Sequence, residues 1–244
     1  MNDKKIELSR YDQRAREALN KKKNHQTKTP SFLLEPYEYY FNLFEKFENK
    51  EKLLEIGAGM GENTLRLIKM NFNVCATDIS PHSVNVMKKR FSRYKNFYSK
   101  IADIEKLPFN NCSFDLICSS GSLSYGNNFL VMNEIYRVLK PGGTVIIVDS
   151  LNNSLIYRFN RYLNYLKGKR TRSTLKNMPD IRLIKRYIKK FGYGKVKFFG
   201  SITWLFPLLK ILLSDKFITK FSNWFDAKNN VKKSAFKFVL TLIK

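Results

Sequence analysis

A glycine-rich bend and three acids hold most of the chemistry that can be read in this chain. The segment Leu53-Leu54-Glu55-Ile56-Gly57-Ala58-Gly59-Met60-Gly61-Glu62-Asn63-Thr64 starts as an apolar run, passes an acid and then sets glycines at alternate positions. Glycine lacks the Cβ that keeps a ligand off the backbone, and the N–H groups opening a helix are unpaired, so the bend suits close contact with a bound molecule. A dinucleotide-binding bend spaces its glycines G-x-G-x-x-G, which would put the third at position 62, but Glu62 stands there and the third glycine is Gly61. A carboxylate beside a pyrophosphate is repulsive, so the spacing argues against NAD and tolerates a ligand without phosphate. The plainer alternative is a tight turn that binds nothing.

Asp78 follows Gly57 by 21 positions, at the end of the next apolar run. A βαβ unit delivers a carboxylate to ribose hydroxyls at that interval, and two hydroxyl donors match one two-oxygen acceptor. Asp78 could equally cap the helix that begins near Ser80–Pro81. Farther on, Ala102-Asp103-Ile104 offers an acceptor for an adenine amino group with Ile104 against the ring. The alternative there is a loop aspartate bonded to its own backbone.

These residues need a scaffold, and the pattern from Lys52 onward supplies one. Short apolar strands alternate with amphipathic helices, the signature of βαβ units in an α/β domain with a parallel sheet. Strands are expected at Leu53–Ile56, Asn73–Thr77, Phe97–Ile101, Phe114–Ser119 and Thr144–Asp149. Helices are expected at Glu62–Met70, Ser80–Phe91 and Phe129–Leu139, the last stopped by Pro141-Gly142-Gly143. Before them, residues 1–50 read as a mostly exposed helical cap: Lys4–Leu19, a polar break, then Pro36–Phe47, where Tyr37, Tyr40, Phe41, Phe44 and Phe47 share one face as core or lid.

Taken together, the bend, Asp78, Asp103, Phe114-Asp115-Leu116-Ile117-Cys118-Ser119-Ser120 and Arg137-Val138-Leu139-Lys140-Pro141-Gly142-Gly143-Thr144 resemble the class I S-adenosylmethionine-dependent methyltransferases, nearest the branch with ubiquinone and menaquinone methyltransferases. The resemblance covers roughly Lys52–Ser150. It implies a Rossmann-like seven-stranded sheet of order 3-2-1-4-5-7-6 with an antiparallel last strand, helices on both faces, and S-adenosyl-L-methionine as cofactor. Residues 51–150 would be the cofactor-binding core, and residues 151–244 would complete the sheet with strands near 195–201 and 235–243. By that likeness Glu55, Gly57, Ala58, Gly59 and Gly61 surround the methionine and ribose, Asp78 holds the ribose, and Ile79 covers one adenine face. Asp103 and Ile104 would hold the base, and Ser119 and Ser120 lie beside the methyl group.

Methyl transfer from a sulfonium is an in-line displacement, so positioning and exclusion of water supply much of the rate. A hydroxyl acceptor also needs a base, for which His25 and Tyr125 are the candidates, while His82 reads as a surface residue. The stretch Ser119-Ser120-Gly121-Ser122 has no Asn- or Asp-Pro-Pro-aromatic motif of amino-methylating DNA enzymes, and there is no Pro-Cys nucleophile for a pyrimidine carbon. No His and carboxylate cluster suggests a metal site. Oxygen or nitrogen of a small-molecule, lipid-linked or glycan acceptor fits best.

Charge points to the partners. Of a net +25, residues 151–244 carry most: 22 Lys and Arg against the three acids Asp180, Asp215 and Asp226. Such a surface attracts anionic lipid headgroups, RNA or phosphorylated glycans, or it reflects lysine-biased coding. Arg158, Arg161, Lys167, Lys169, Arg170 and Arg172 are candidates for phosphates of a lipid-linked substrate. Ile202–Leu213 is too short and too interrupted to span a bilayer but, with Trp204 and Trp224, suits a membrane interface or the wall of a pocket. Cys75, Cys112 and Cys118 lack CxxC spacing and the first thirty residues lack a signal peptide's apolar stretch, so a cytoplasmic protein, optionally peripheral on the membrane face, is expected. RNA methylation through the basic tail, with Tyr157, Tyr162 and Tyr165 for stacking, and a non-catalytic cofactor-binding role remain the alternatives.

Overall fold

The computed structural model describes residues 3–20, 34–48 and 51–244. Seven strands, β1 (Lys52–Ile56), β2 (Asn73–Asp78), β3 (Phe97–Ile101), β4 (Phe114–Ser120), β5 (Leu139–Ser150), β6 (Tyr193–Phe199) and β7 (Lys237–Ile243), form one sheet of order β3-β2-β1-β4-β5-β7-β6. The pairs among β1 to β5 are parallel, while β7 runs antiparallel to both β5 and β6. This is the sheet anticipated from the resemblance.

Strands covered on both faces must be apolar at consecutive positions, and the register shows why. Leu54, Ile117 and Ile147 point into one core layer with Val131 and Ile135 of α5 (Asn128–Val138) and Ile184 and Tyr187 of α8 (Ile181–Phe191). Their neighbours Leu53, Leu116 and Ile146 point into the other layer. There they meet α2 (Glu35–Asn42), α3 (Thr64–Lys69) and α4 (Pro81–Arg90) through Tyr40, Leu67 and Met87.

The aromatic stripe of the second segment is core: Tyr40, Phe41 and Phe44 are buried, and Tyr37 and Phe47 pack against the same layer. The first segment is α1 (Asp3–Asn20), which lies over the carboxyl edge of the sheet against α4 and α7 (Arg172–Lys176). Helix α5 stops at Val138, and Leu139 is already extended and paired with Phe114, so Pro141-Gly142-Gly143 is a bulge inside β5 rather than the helix stop. Leu139, which caps α5, is extended at φ −78° and ψ 135°, so the helix has ended before the proline is reached.

The two insertions are helical. Residues between β5 and β6 form α6 (Leu155–Leu166), α7 and α8, and those between β6 and β7 form a 3-10 turn (Thr203–Leu205), α9 (Phe206–Leu209) and α10 (Asp215–Lys228). No helix among the described residues is long and apolar enough to cross a membrane.

Candidate active site

The cavity sits where the loops after β1, β2, β3 and β4 converge at the carboxyl edge. Two backbone N–H groups fasten the glycine bend to the end of β2: Ala58 N–H donates to the Thr77 carbonyl at 2.8 Å and Gly59 N–H to the Asp78 side-chain Oδ2 at 2.9 Å. At Gly57, with φ +63°, a Cβ would stand 2.4 Å from Ser122 Cβ, so glycine there lets the β1 and β4 loops touch. At Gly61, with φ +83°, a Cβ would meet Phe91 Cε2 at 2.5 Å. Gly61 therefore serves the packing of the bend on α4, and it does not line the cavity, contrary to expectation.

The acids are held in distinct ways. Asp78 is buried, and its second oxygen accepts the Ser80 N–H at 2.9 Å. Burial pushes its carboxyl above the ordinary range, while the two N–H donors act against that shift. A carboxylate offers about four lone-pair directions, so the two bonded oxygens can still accept two hydroxyls. The helix-capping role belongs to Ser80, whose side chain accepts from Ser83 N–H. Glu55, fully enclosed at the end of β1, takes a 2.6 Å bond from the Thr64 hydroxyl, yet desolvation raises its pKa to about 7. Asp103 bonds its own loop, accepting from Glu105 N–H at 3.0 Å, and is paired with Lys4.

Lys4 belongs to α1, which closes the cavity from above with Glu7, Leu8 and Tyr11. The helix is tied down mainly by polar contacts: Lys4 to Asp103 and, at 3.0 Å, to Glu105; Tyr11 hydroxyl donating to Tyr125 at 2.7 Å; Asp12 to Ser80; and Arg16 donating to His82 at 3.2 Å. The Tyr11 and Tyr125 rings meet edge to face, with centroids 5.5 Å apart. Asp3 accepts the Ser173 N–H of α7 at 2.7 Å, and Ser173 and Thr174 complete the wall.

Of the residues expected at the site, Glu55, Gly57, Ala58 and Gly59 line the cavity from β1, and Asp78 and Ile79 from β2. Asp103, Ile104, Ser120 and Tyr125 do so from the next two loops. Ser119 does not: it is fully buried, its hydroxyl 2.6 Å from that of Ser122, because alternation along β4 turns it away and leaves Ser120 at the wall. His25 lies outside the described residues, and His82 lies on α4 against Arg16. Missed from the sequence were the α1 residues, Glu62, Asn63, Gly121, Ser122, Ser173 and Thr174. Asn63, which donates to Ser120 at 3.1 Å, had a readable signal in its place just past the bend. Arg161, one of the suggested phosphate ligands, is 5% exposed and donates to the Leu151 carbonyl at 2.8 Å, so it supports backbone instead. Among the described residues no cluster of His, Cys, Asp or Glu could hold a metal ion.

The residues fit an adenosine sulfonium: a bare-backbone bend, a buried carboxylate pair, and an acid and apolar side chain for a base. Residues 54–147 match the family described as a methyltransferase domain. The chain is 31% identical over 140 residues to a sterol 4-C-methyltransferase of Caenorhabditis elegans, covering 52% of this chain and 42% of that one. It is 26% identical over 171 residues to a demethylmenaquinone methyltransferase of Chlorobaculum parvum, covering 62% and 69%. A Haemonchus contortus phosphoethanolamine N-methyltransferase solved with S-adenosylhomocysteine superposes with a TM-score of 0.59 at 17% identity, over 90% of this chain and 58% of that one. The chain spans about half the length of the first curated relatives it matches, 48% and 42%. The sheet order, the bend fastened to Asp78 and the match over residues 54–147 agree on a class I S-adenosylmethionine-dependent methyltransferase domain.

Proposed function

We propose that the protein moves the methyl group of S-adenosylmethionine to oxygen or nitrogen of a small acceptor, lipid-linked or glycan in kind, at the cytoplasmic face of a membrane. The observation that carries the catalytic part is the single cavity that gathers Glu55, Asp78, Asp103 and the glycine bend under α1. When bound, the cofactor supplies an electrophilic methyl group. The chain's own residues bind and orient: Asp78 accepts the ribose hydroxyls, Glu55 faces the amino acid end, and Asp103 with Ile104 takes the base. Helix α1 and Tyr11 keep water from the reacting centre, which favours displacement over hydrolysis. Tyr125, its hydroxyl already bonded to Tyr11, stands at the wall where an acceptor hydroxyl could be oriented.

Relatives whose names specify a sterol, a demethylmenaquinone and phosphoethanolamine support a small acceptor, two of the three being lipids. The RNA alternative loses one of its three tyrosines, since Tyr157 is turned inward against Thr203 and the Phe236 ring. The test is transfer of labelled methyl from the cofactor to separated lipid, polar-metabolite and RNA fractions of a cell extract. Label in the lipid or polar fraction is expected. Label in RNA alone overturns the acceptor class, and no label in any fraction, with cofactor bound, leaves a non-catalytic binder.

A further inference from the structure

Helix α6 is built inside out. Leu155, Phe159, Tyr162 and Leu166 recur at spacings that put them on one face, and all are exposed, Leu155 at 78% and Phe159 at 64%. The opposite face turns inward with Tyr157, bonded to Thr203, and the buried Arg161. A helix folded onto a protein core does the reverse.

Helix α10 repeats the arrangement. Phe217, Phe221 and Trp224 form an exposed stripe, the last two rings stacked with centroids 5.8 Å apart. Its other face buries Ile218, Ser222 and Asp226, whose carboxylate accepts the Gly200 N–H at 2.6 Å. On the approach to α10, Ile211 and Leu212 are the most open of the segment, at 77% and 85%. A monomer does not leave so much large apolar surface in contact with water without a use for it.

Basic residues border both stripes: Arg158 beside Leu155 on α6, and Lys216 and Lys220 beside Phe217 and Phe221 on α10, all exposed. The stripes also share a place in the fold. α6 leaves the carboxyl end of β5, and α10 lies in the insertion that leaves the carboxyl end of β6. That is the sheet edge that carries the cavity, and α7, which follows α6, lends it Ser173 and Thr174.

We infer that α6, α10 and the Trp204–Leu213 segment form one docking face for an anionic lipid surface, with the aromatic and aliphatic stripes seated at the headgroup–acyl boundary and the bordering cations on the headgroups. Apolar burial and electrostatic attraction add in this geometry, and neither needs a spanning helix. A second copy of the chain would bring two strongly basic faces together, which is repulsive. The docking stands on exposure and charge alone; that it delivers an acceptor from the lipid to the cavity rests on the reading of the site given above.

The test is co-sedimentation of the full chain with vesicles of phosphatidylcholine alone and of phosphatidylcholine with phosphatidylserine, beside a Phe159→Ser/Leu212→Ser/Phe221→Ser variant. Affinity of each protein for S-adenosylhomocysteine, measured by calorimetry, reports whether the cavity is intact. The wild type is expected to sediment with the anionic vesicles and to be released by salt, and the variant to lose about tenfold or more in vesicle affinity at unchanged nucleoside affinity. The inference is overturned by wild type that stays in the supernatant with anionic vesicles at low salt, or by a variant that sediments like wild type. It is equally overturned by light scattering that finds a wild-type dimer made monomeric by the variant. Vesicle binding without nucleoside binding would reject the reading of the site and leave the docking face standing.

Discussion

At the scale of single residues, the site turns on two carboxyl groups that burial treats alike and hydrogen bonding treats differently. Asp78 is expected to carry the ribose, so Asp78→Asn, which keeps the shape but loses the charge, should weaken cofactor binding by roughly thirtyfold, about 2 kcal/mol for a charged hydrogen-bond acceptor. Calorimetry with S-adenosylhomocysteine checks this. Glu55, with its pKa raised to about 7, holds a proton in the folded state that the unfolded chain has released, so its contribution to stability is complete below pH 4.5 and is lost as pH rises to about 7. The span corresponds to about 3 kcal/mol. Denaturant midpoints of the ligand-free protein should fall across that window more steeply than those of Glu55→Gln. A cationic amino group brought near Glu55 should also expel the proton, making the binding heat near pH 6.5 depend on the buffer's ionisation enthalpy, whereas Glu55→Gln removes that dependence.

Gly61→Ala belongs to the same scale but to a different cause. Its Cβ would collide with the Phe91 ring in a backbone region that side chains avoid. A loss of about 1–3 kcal/mol in unfolding free energy is expected, seen as a lowered midpoint, with nucleoside affinity little changed in the fraction that stays folded.

At the scale of elements, α1 is fastened by ion pairs and hydrogen bonds more than by apolar packing, and charged contacts near the surface are screened by salt. Limited proteolysis should therefore cut within α1 faster at about 1 M salt, where the screening length is near 3 Å, and in Lys4→Met at low salt. S-adenosylhomocysteine should slow the cut in both cases. A rate indifferent to salt, to Lys4 and to ligand would mean that α1 is not the cover of the site. Its role could not have been read in advance, because a polar helix has no apolar stripe to say where it docks, and Lys4, Glu7 and Tyr11 become site residues only through the fold. The strands were legible for the opposite reason. Leu53–Ile56 and Thr144–Asp149 are short, mostly apolar runs set off by glycine-rich turns, the way buried strands read, and β3 falls on the expected Phe97–Ile101. Only Thr144–Asp149 of β5 is legible in the sequence, because Pro141-Gly142-Gly143 looks like a terminator and proves to be a bulge. Periodicity shows that α6 has an apolar face; it does not show which way the face turns.

At the scale of the whole molecule, charge and greasiness coincide in residues 151–244, while the cofactor site is built almost entirely from residues before them. The two parts of the chain thus differ in composition as well as in their share of the cavity wall. One further consequence lies in the sheet. β7 sits between β5 and β6, so β6 is joined to the rest only through a strand made some forty residues later. While the polypeptide is emerging from the ribosome, β6 has no partner and the edge of β5 stays bare, an open invitation to mispairing and to chaperones. Deleting residues 237–243 would therefore detach two strands rather than one.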